Sequence, residues 1–308
     1  MVGRIPERFT SEEVARQHLE ALQWPDGPIC PHCGVIDESS SIKGGRKGLW
    51  FCNACRKQFT VTVGTVMERS RIPLNCWLYA VHLLCSSKKG ISSHQLARML
   101  GVTYKTAWFL SHRIREAMAP KDGTADLLGG AGQIVEADTT YVGGKEKNKH
   151  KSKRNSRNIG GTGKQIVHTL VERGGRARST HIANIRGETL RPVMLAQVSL
   201  ESSLMTDTAG GYLHLGKEFA RHEMVDHGID EYVRGDAHSN TVEGYFSVLK
   251  RGITGVYHHV SEAHLKRYLA EFDFRYNNRM SLGVNDGERT ANALKGIEGK
   301  RLTYRPTN

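Results

Sequence analysis

The chain has 308 residues, of which 38% are hydrophobic and 24% are charged, a composition typical of a globular protein with two or three domains. It contains no run near the roughly 20 apolar residues of a membrane-spanning helix, and its N-terminus lacks the apolar core of a signal peptide. These features argue against a membrane partner and predict a cytoplasmic protein, in which cysteines stay reduced. The formal net charge of +13 predicts a polyanionic partner.

The positive charge is concentrated in two blocks. Residues 71–121 hold eight Lys or Arg against one acid, and residues 145–164 also hold eight against one. Residues 1–70 are nearly balanced, with nine basic and eight acidic residues. Two dense basic segments are typical of a nucleic-acid-binding protein, although a generally basic protein is an alternative on charge alone.

The N-terminal part of the chain predicts a short helix followed by a metal site. Residues 1–24 contain a helical pattern over 10–23, which Thr10 or Ser11 can cap. Residues 25–65 carry two CxxC motifs with 18 residues between them, and two such knuckles complete a tetrahedral zinc site. Redox chemistry is the alternative, but it does not require two motifs at this spacing. We therefore expect a zinc ribbon with one structural Zn²⁺ held by Cys30, Cys33, Cys52 and Cys55.

Residues 70–121 carry the pattern of a helix-turn-helix DNA-binding domain. Ser92 or Ser93 begins a helix, and the turn at Gly101 is followed by a second helix that Thr103 can cap. A second helix of this kind fits the major groove of DNA, whereas an ordinary helical hairpin is the alternative. The expected outward positions include Tyr104, Lys105, Thr106, His112, Arg113 and Arg115. The candidates for DNA contact among them are Tyr104, Lys105, Thr106 and Arg113.

After a glycine-rich linker at 122–132, the pattern alternates between strands and helices, which predicts an α/β domain over residues 130–280. Strands are predicted at 133–142, 165–172, 178–185, 202–206 and 232–234. Helices are predicted at 188–197 and at 241–277, the latter with a break near 252–255. Residues 281–308 are expected to be an irregular C-terminal tail with short helical pieces.

Two aspartates on predicted strands are candidates for the site. Alternation along residues 133–142 places Ile134, Glu136 and Asp138 on one face. Strands of a buried sheet seldom carry two acids on one face, so Asp138 is a candidate metal ligand, with a surface carboxylate as the alternative. Asp207 ends another hydrophobic strand just before a glycine pair, a placement typical of functional acids and also of simple turns.

A third acidic candidate lies near the start of the helix predicted from residue 241. Asn240 as N-cap and Glu243 three residues later would form a variant of the capping box, which explains both residues without catalysis. However, Glu243 and Lys250 are seven residues apart and therefore share one face of the helix. This arrangement suits a metal-binding carboxylate beside a basic residue that grips the DNA backbone.

In combination, these motifs resemble the DDE transposases of bacterial insertion sequences, specifically the ISXO-like group with an N-terminal zinc ribbon. The resemblance covers most of residues 25–280. It is carried by the paired knuckles, Glu-Ala-Asp138-Thr-Thr-Tyr-Val-Gly-Gly-Lys, Thr-Asp207 and His238-Ser-Asn240-Thr-Val-Glu243-Gly-Tyr-Phe-Ser-Val-Leu-Lys250-Arg. It implies an α/β fold in which a zinc ribbon and a helical helix-turn-helix domain precede an RNase H-like catalytic domain.

The resemblance also implies an activity. Such a protein binds the inverted-repeat ends of an insertion sequence and catalyses DNA cleavage and strand transfer with two Mg²⁺ ions, or Mn²⁺. Asp138, Asp207 and Glu243 would hold the metal ions. Lys250 would contact a phosphate, while His238 would orient the leaving group or stabilise the start of its helix.

The sequence departs from the family pattern after the first aspartate, where the family usually has Glu and this chain has Thr139. The third catalytic position is also open, because family members carry either Glu or Asn there. Glu243 is favoured because 35 residues separate it from Asp207, the spacing typical of the wider superfamily, against 32 for Asn240. Asn240 is then a capping residue or a substitute ligand.

Further expectations concern the partners. The family resemblance implies a homodimer or higher oligomer on DNA. The protein is expected to associate with the nucleoid while it acts. The basic loop 145–164 is expected to follow the DNA backbone through Lys149, Lys151, Lys153, Arg154 and Arg157. One alternative is a zinc-ribbon and helix-turn-helix regulator, which would not nick DNA. Another is a related RNase H-like nuclease, which would cleave DNA without joining ends.

Overall fold

The computed structural model describes residues 5–121, 126–144, 150–154, 161, 163–208, 210–225 and 233–303. The chain divides into two compact units. The first consists of residues 1–120 together with 284–308, and the second of residues 121–283. Within the described part of the chain, no helix combines the length and hydropathy that a membrane crossing requires.

The first unit contains the helices α1 (Glu12–Gln23), α2 (Leu74–Ser86), α3 (Ser93–Leu100), α4 (Tyr104–Met118) and α8 (Asp286–Lys295), and the strands β1 (Ser39–Ser41), β2 (Trp50–Cys52) and β3 (Gln58–Phe59). The second unit contains the strands β4 (Ile134–Val142), β5 (Gln165–Glu172), β6 (Ala177–Ile182), β7 (Ser203–Asp207) and β8 (Arg221–Val225), and the helices α5 (Gly187–Leu195), α6 (Asn240–Gly252) and α7 (Glu262–Asn277). Short 3-10 turns lie at Glu7–Phe9, Lys151–Lys153, Leu215–Glu218 and Met280–Leu282.

Three helices of the first unit, α1, α3 and α4, begin at the capping residues that the sequence predicts. The Ser11 hydroxyl accepts from the Val14 N–H and caps α1, while Ser92 and Thr103 cap α3 and α4 in the same way. Gly101 ends α3 with a φ of 65°, a left-handed conformation that costs glycine little. The helix-turn-helix pattern of secondary structure is thereby confirmed.

The C-terminal segment differs from the irregular tail that we predicted. Residues 286–295 form α8, which begins with a complete capping box between Asn285 and Glu288. This helix packs against α2 in the first unit, where Leu294 and Ile297 are buried. The short amphipathic pattern of α8 gives no indication of a partner almost 200 residues earlier in the chain.

The second unit is built around a five-stranded mixed sheet with the order β6-β5-β4-β7-β8. The central strand β4 is antiparallel to β5 and parallel to β7, and β7 is parallel to β8. One face carries α5 and a core that includes Val135 and Ala137 of β4. The other face carries α6 and α7, with Val167 of β5 in its core. This mixed sheet, covered by helices on both faces, agrees with the expected RNase H-like domain.

Some boundaries in the second unit differ from the predictions. Strand β8 was not predicted, because its sequence Arg-His-Glu-Met-Val is mostly polar. The predicted strand 232–234 is wrong for its described residues, since Arg234 forms only an isolated bridge with Ala237. The predicted break near 252–255 coincides with a π-helical turn over Ile253–Tyr257 that separates α6 from α7.

Candidate active site

The two aspartates predicted on strands are neighbours at the centre of the sheet. Ala137 of β4 pairs with Thr206 of the parallel strand β7, so the next residues, Asp138 and Asp207, lie side by side. Residues that are opposite each other on parallel strands project to the same face of a sheet. Both carboxylates are partly buried, Asp138 in the middle of β4 and Asp207 at the carboxyl end of β7.

Helix α6 covers this face of the sheet and carries the remaining predicted residues. Val242 and Leu249 are buried on its inner side in a core shared with β5. Glu243 and Lys250 are exposed on the same helix, and the charges of both act on Asp138. The structure therefore places Asp207, Glu243 and Lys250 close enough to Asp138 for their charges to act on it.

The environment of Asp138 disfavours its charged form. Burial, together with the negative charges of Asp207 and Glu243, raises the pKa of Asp138 to about 7. The Thr139 N–H, which donates to Asp138 Oδ1 at 2.6 Å, and the charge of Lys250 act in the opposite direction. Thr139, which stands where the family usually has Glu, thus contributes a backbone hydrogen bond to the first aspartate.

The donor chemistry of this site fits a hard divalent cation. Carboxylate oxygens are the ligands that Mg²⁺ prefers, and a cation would relieve the repulsion among the three acids. Asp138, Asp207 and Glu243 are the residues that could hold it. Among the described residues, only the four cysteines bring three or more ligand atoms close enough to bind one ion. The carboxylates of Asp138, Asp207 and Glu243 are therefore further apart than they would be around a single shared ion.

The start of α6 differs from the predicted capping box. The N-cap residue is Ser239, and Asn240 is an exposed first residue of the helix. Glu243 accepts a hydrogen bond from the Ser239 hydroxyl at 3.3 Å. The prediction of Asn240 as N-cap is therefore wrong, and the exposure of Asn240 leaves its role as a substitute ligand a prediction.

A buried acid and an arginine that the sequence did not assign to the site contact the start of α6. Glu136, fully buried on β4, accepts from the backbone N–H groups of Thr241 and Val242. Arg173 donates from Nε to Glu136 Oε1 at 2.6 Å. His238 is also here, with Nδ1 3.2 Å from Glu136 Oε1, although this contact lacks hydrogen-bond geometry.

The predicted DNA-contacting residues of α4 separate into two groups. Tyr104 and Lys105 are exposed at the start of the helix, and Thr106 is half-buried. The prediction that Arg113 faces outward is wrong, since it is only 6% exposed and donates to the Glu68 carbonyl at 2.6 Å. His112 and Arg115, also predicted to face outward, are buried too. The Arg113 guanidinium therefore contacts the protein backbone instead of facing outward.

The basic loop is described only in part. Lys151 is exposed in a 3-10 turn over Lys151–Lys153, and Arg154 is exposed after it. Lys149, Arg157 and the side chain of Lys153 lie outside the described residues.

The four cysteines of the two knuckles form one compact cluster. Their sulfur atoms all lie within 4.8 Å of one another, with Cys30 Sγ 3.6 Å from Cys55 Sγ and Cys33 Sγ 3.7 Å from Cys52 Sγ. This spacing fits four thiolates around a tetrahedral Zn²⁺. A filled thiolate shell leaves no open position for a reactant, so this site is structural.

We expect Cys52→Ser to lose the bound zinc. The substitution leaves three thiolates, and structural zinc sites of this kind contribute about 10–16 kcal/mol of apparent binding free energy. Zinc content of the purified protein, measured by elemental analysis, should fall from one ion per chain to nearly none. Cys76→Ser, which changes a cysteine of α2 outside the cluster, should retain one zinc. One zinc per chain in Cys52→Ser would contradict the four-cysteine assignment.

Comparison with known proteins agrees with this geometry. Residues 127–277 match the family model of the ISXO2-like transposase domain, and residues 10–58 match the transposase zinc-ribbon domain. The chain is also 30% identical over 280 residues to an uncharacterized protein in transposable element ISH50 of Halobacterium salinarum, an alignment that covers 87% of this chain and 91% of that protein. The predicted resemblance and fold class are thereby confirmed. The chain therefore belongs to the ISXO2-like transposase family.

Proposed function

We propose that this transposase binds the inverted-repeat ends of its insertion sequence and catalyses Mg²⁺-dependent DNA cleavage and strand transfer. One observation carries the catalytic part of the proposal. The register of β4 and β7 places Asp138 beside Asp207, and α6 brings the charges of Glu243 and Lys250 to them. Family membership supports the same activity.

The acids would share the metal ions between them. Two divalent ions, when bound, would favour a deprotonated nucleophile and neutralise charge on the phosphate oxygens. Asp138, Asp207 and Glu243 would together hold the two ions. Lys250, exposed on the same helix, would contact a DNA phosphate near the scissile bond.

The proposed reaction has two displacement steps. A water oxygen attacks the phosphodiester at the end of the element, which forms one P–O bond, breaks the bond to the 3′ oxygen and leaves a free 3′-OH. This 3′-OH then attacks a target phosphodiester, so that one P–O bond again forms as another breaks. The His238 side chain is 24% exposed and its Nδ1 lies 3.2 Å from Glu136 Oε1, beside the start of α6, which favours the stabilising role over the leaving-group role.

The proposal is tested with DNA that carries the terminal inverted repeat of the element. The purified transposase should nick this DNA only with Mg²⁺ or Mn²⁺ and should join the freed 3′ end to a second DNA. Cleavage without joining would indicate the nuclease alternative. Specific binding without cleavage would indicate the regulator. A dimer or higher oligomer on paired ends is part of the proposal, and light scattering of the complex with DNA would measure it.

We expect Lys105→Ala to weaken binding to the repeat and to lower its dependence on salt. Lys105 is exposed in the first turn of α4, where a helix-turn-helix protein contacts DNA. The slope of log K against log salt should become less negative by about 1, because one phosphate contact is lost. Fluorescence anisotropy across a salt series measures this slope.

Lys295→Ala is the matched control for that experiment. It removes the same charge from an exposed position of α8, outside the helix-turn-helix. An equal change of slope in both variants would show that general charge, rather than α4, directs binding.

A further inference from the structure

The N-terminus of α6 is capped from a distant strand rather than from its own sequence. The N-cap residue Ser239 makes no side-chain hydrogen bond to the free N–H groups of the first turn. Instead, Glu136 Oε2 accepts from the N–H groups of Thr241 and Val242 at 2.8 and 2.9 Å. Glu136 Oε1 also accepts from the Thr241 hydroxyl at 2.9 Å. A carboxylate is well suited to this position, because the N-terminal end of a helix carries partial positive charge.

Arg173 completes this arrangement and ties the preceding segment to it. Its Nε donates to Glu136 Oε1, and its two terminal nitrogens donate to the carbonyls of Asp236 and His238 at 2.8 and 2.9 Å. The charge of the buried Glu136 is therefore balanced by a cation, as a fully buried carboxylate requires. The same guanidinium fixes the backbone that leads into α6.

The position of this cap connects it to the candidate active site. Glu136 precedes Asp138 by two residues on the same face of β4, a separation of roughly 7 Å along a strand. Glu243 follows the capped N–H of Val242 by one residue. One strand thus supplies both the first aspartate and the acceptor that anchors the helix bearing the third acid.

We propose that Glu136, together with Arg173, is a positioning residue of the active site. It docks the first turn of α6 on β4 and so sets the position of Glu243 relative to Asp138 and Asp207. The effect on metal binding rests on the proposed function, whereas the docking of the helix rests on the contacts of Glu136 alone.

The test compares full-length Glu136→Gln with the wild type. Gln has nearly the same size, but it is neutral and has a single acceptor oxygen, which cannot serve both helix N–H groups and also Arg173 and the Thr241 hydroxyl. Without metal, amide hydrogen exchange at Thr241 and Val242 should become at least about tenfold faster, because both amides lose a charged acceptor and Arg173 competes for the oxygen that remains. The affinity for Mn²⁺, measured by electron paramagnetic resonance on the DNA-free protein, should fall by about 10- to 100-fold, as for other residues that orient metal ligands.

Glu271→Gln is the matched control. Glu271 is also fully buried and pairs with Arg275, but it lies on α7 and accepts from the Tyr257 hydroxyl rather than from the start of α6. This variant should lose stability without faster exchange at Thr241 or weaker Mn²⁺ binding. If both variants weakened Mn²⁺ binding equally, a general loss of stability would explain the result and the proposal would be overturned.

Two further outcomes are decisive. Wild-type exchange at Thr241 and Val242 in Glu136→Gln would overturn the docking role. If Glu136→Gln does not fold, Arg173→Lys replaces it, because Lys keeps the charge but loses the two hydrogen bonds to the Asp236 and His238 carbonyls. Faster exchange at Thr241 and Val242 and weaker Mn²⁺ binding are then expected, both to a smaller extent. The absence of both changes would overturn the proposal. A wild-type protein that fails to cleave DNA would contradict the proposed function, while the exchange measurement would still decide the docking role.

Discussion

Asp138→Asn is expected to abolish metal-dependent cleavage and strand transfer, with a loss of at least about a hundredfold in rate. Asp138 is the acid on which the charges of Asp207, Glu243 and Lys250 all act, and it lies at the centre of the candidate site. Asn keeps the shape of the side chain but removes the charge that a divalent cation requires. Cleavage of DNA carrying the inverted repeat, measured in Mg²⁺ and again in Mn²⁺, gives the rate. Asp207→Asn should behave in the same way.

Binding to DNA distinguishes a catalytic loss from a folding defect. Without metal, Asp138→Asn should bind the repeat at least as tightly as the wild type, because it removes a negative charge close to the expected phosphates. Glu201→Gln is the control, since Glu201 is an exposed acid of the same unit that lies just before β7. It should cleave at the wild-type rate. Unchanged cleavage by Asp138→Asn would remove this residue from the mechanism.

The features that could be predicted from the sequence are local ones. The CxxC spacing defines the zinc cluster because each knuckle is a single turn. Asp138 could be identified because two acids share one face of its strand, and Asp207 because it ends an otherwise apolar strand. Their proximity then follows from the pairing of β4 and β7, which the family resemblance implies and which the alternation pattern alone does not.

The features that could not be predicted depend on residues distant in the chain. Glu136 and Arg173 are 37 residues apart, and neither sequence neighbourhood indicates the other. The sequence does show two acids, Glu136 and Asp138, on one face of a buried strand, and such acids require partners. It does not show which of the two caps α6. Arg113 was misplaced because charge predicts exposure, whereas its partners, the Glu68 carbonyl and the Trp77 ring, come from another part of the domain.

Residues 284–308 pack in the first unit, although they are distant from the rest of it in the sequence. Deletion of these residues is therefore expected to unfold the first unit or to lower its stability severely. Arg289 donates to the Cys85 carbonyl at 2.8 Å, the Leu294 carbonyl accepts from Gln23 at 2.7 Å, and the Ile297 carbonyl accepts from the Val66 N–H at 3.1 Å. These contacts join α8 and the residues after it to three separate segments of the unit. Loss of these contacts would leave polar groups without hydrogen-bond partners and would also expose a hydrophobic surface.

The size of this effect follows from burial. Leu294 and Ile297 are each only 1% exposed, and removing two such side chains costs about 3–6 kcal/mol of the free energy of unfolding. A domain of this size is stable by about 5–15 kcal/mol in total, so the loss is a large fraction. Calorimetry of the 1–283 chain should show the transition of the first unit lowered or absent, with that of the second unit retained. A chain that ends at Thr303 keeps all these contacts and should melt like the full protein.

Since the helix-turn-helix belongs to the first unit, the 1–283 chain should also lose binding to the inverted repeat. Retained binding would show that the unit folds without α8.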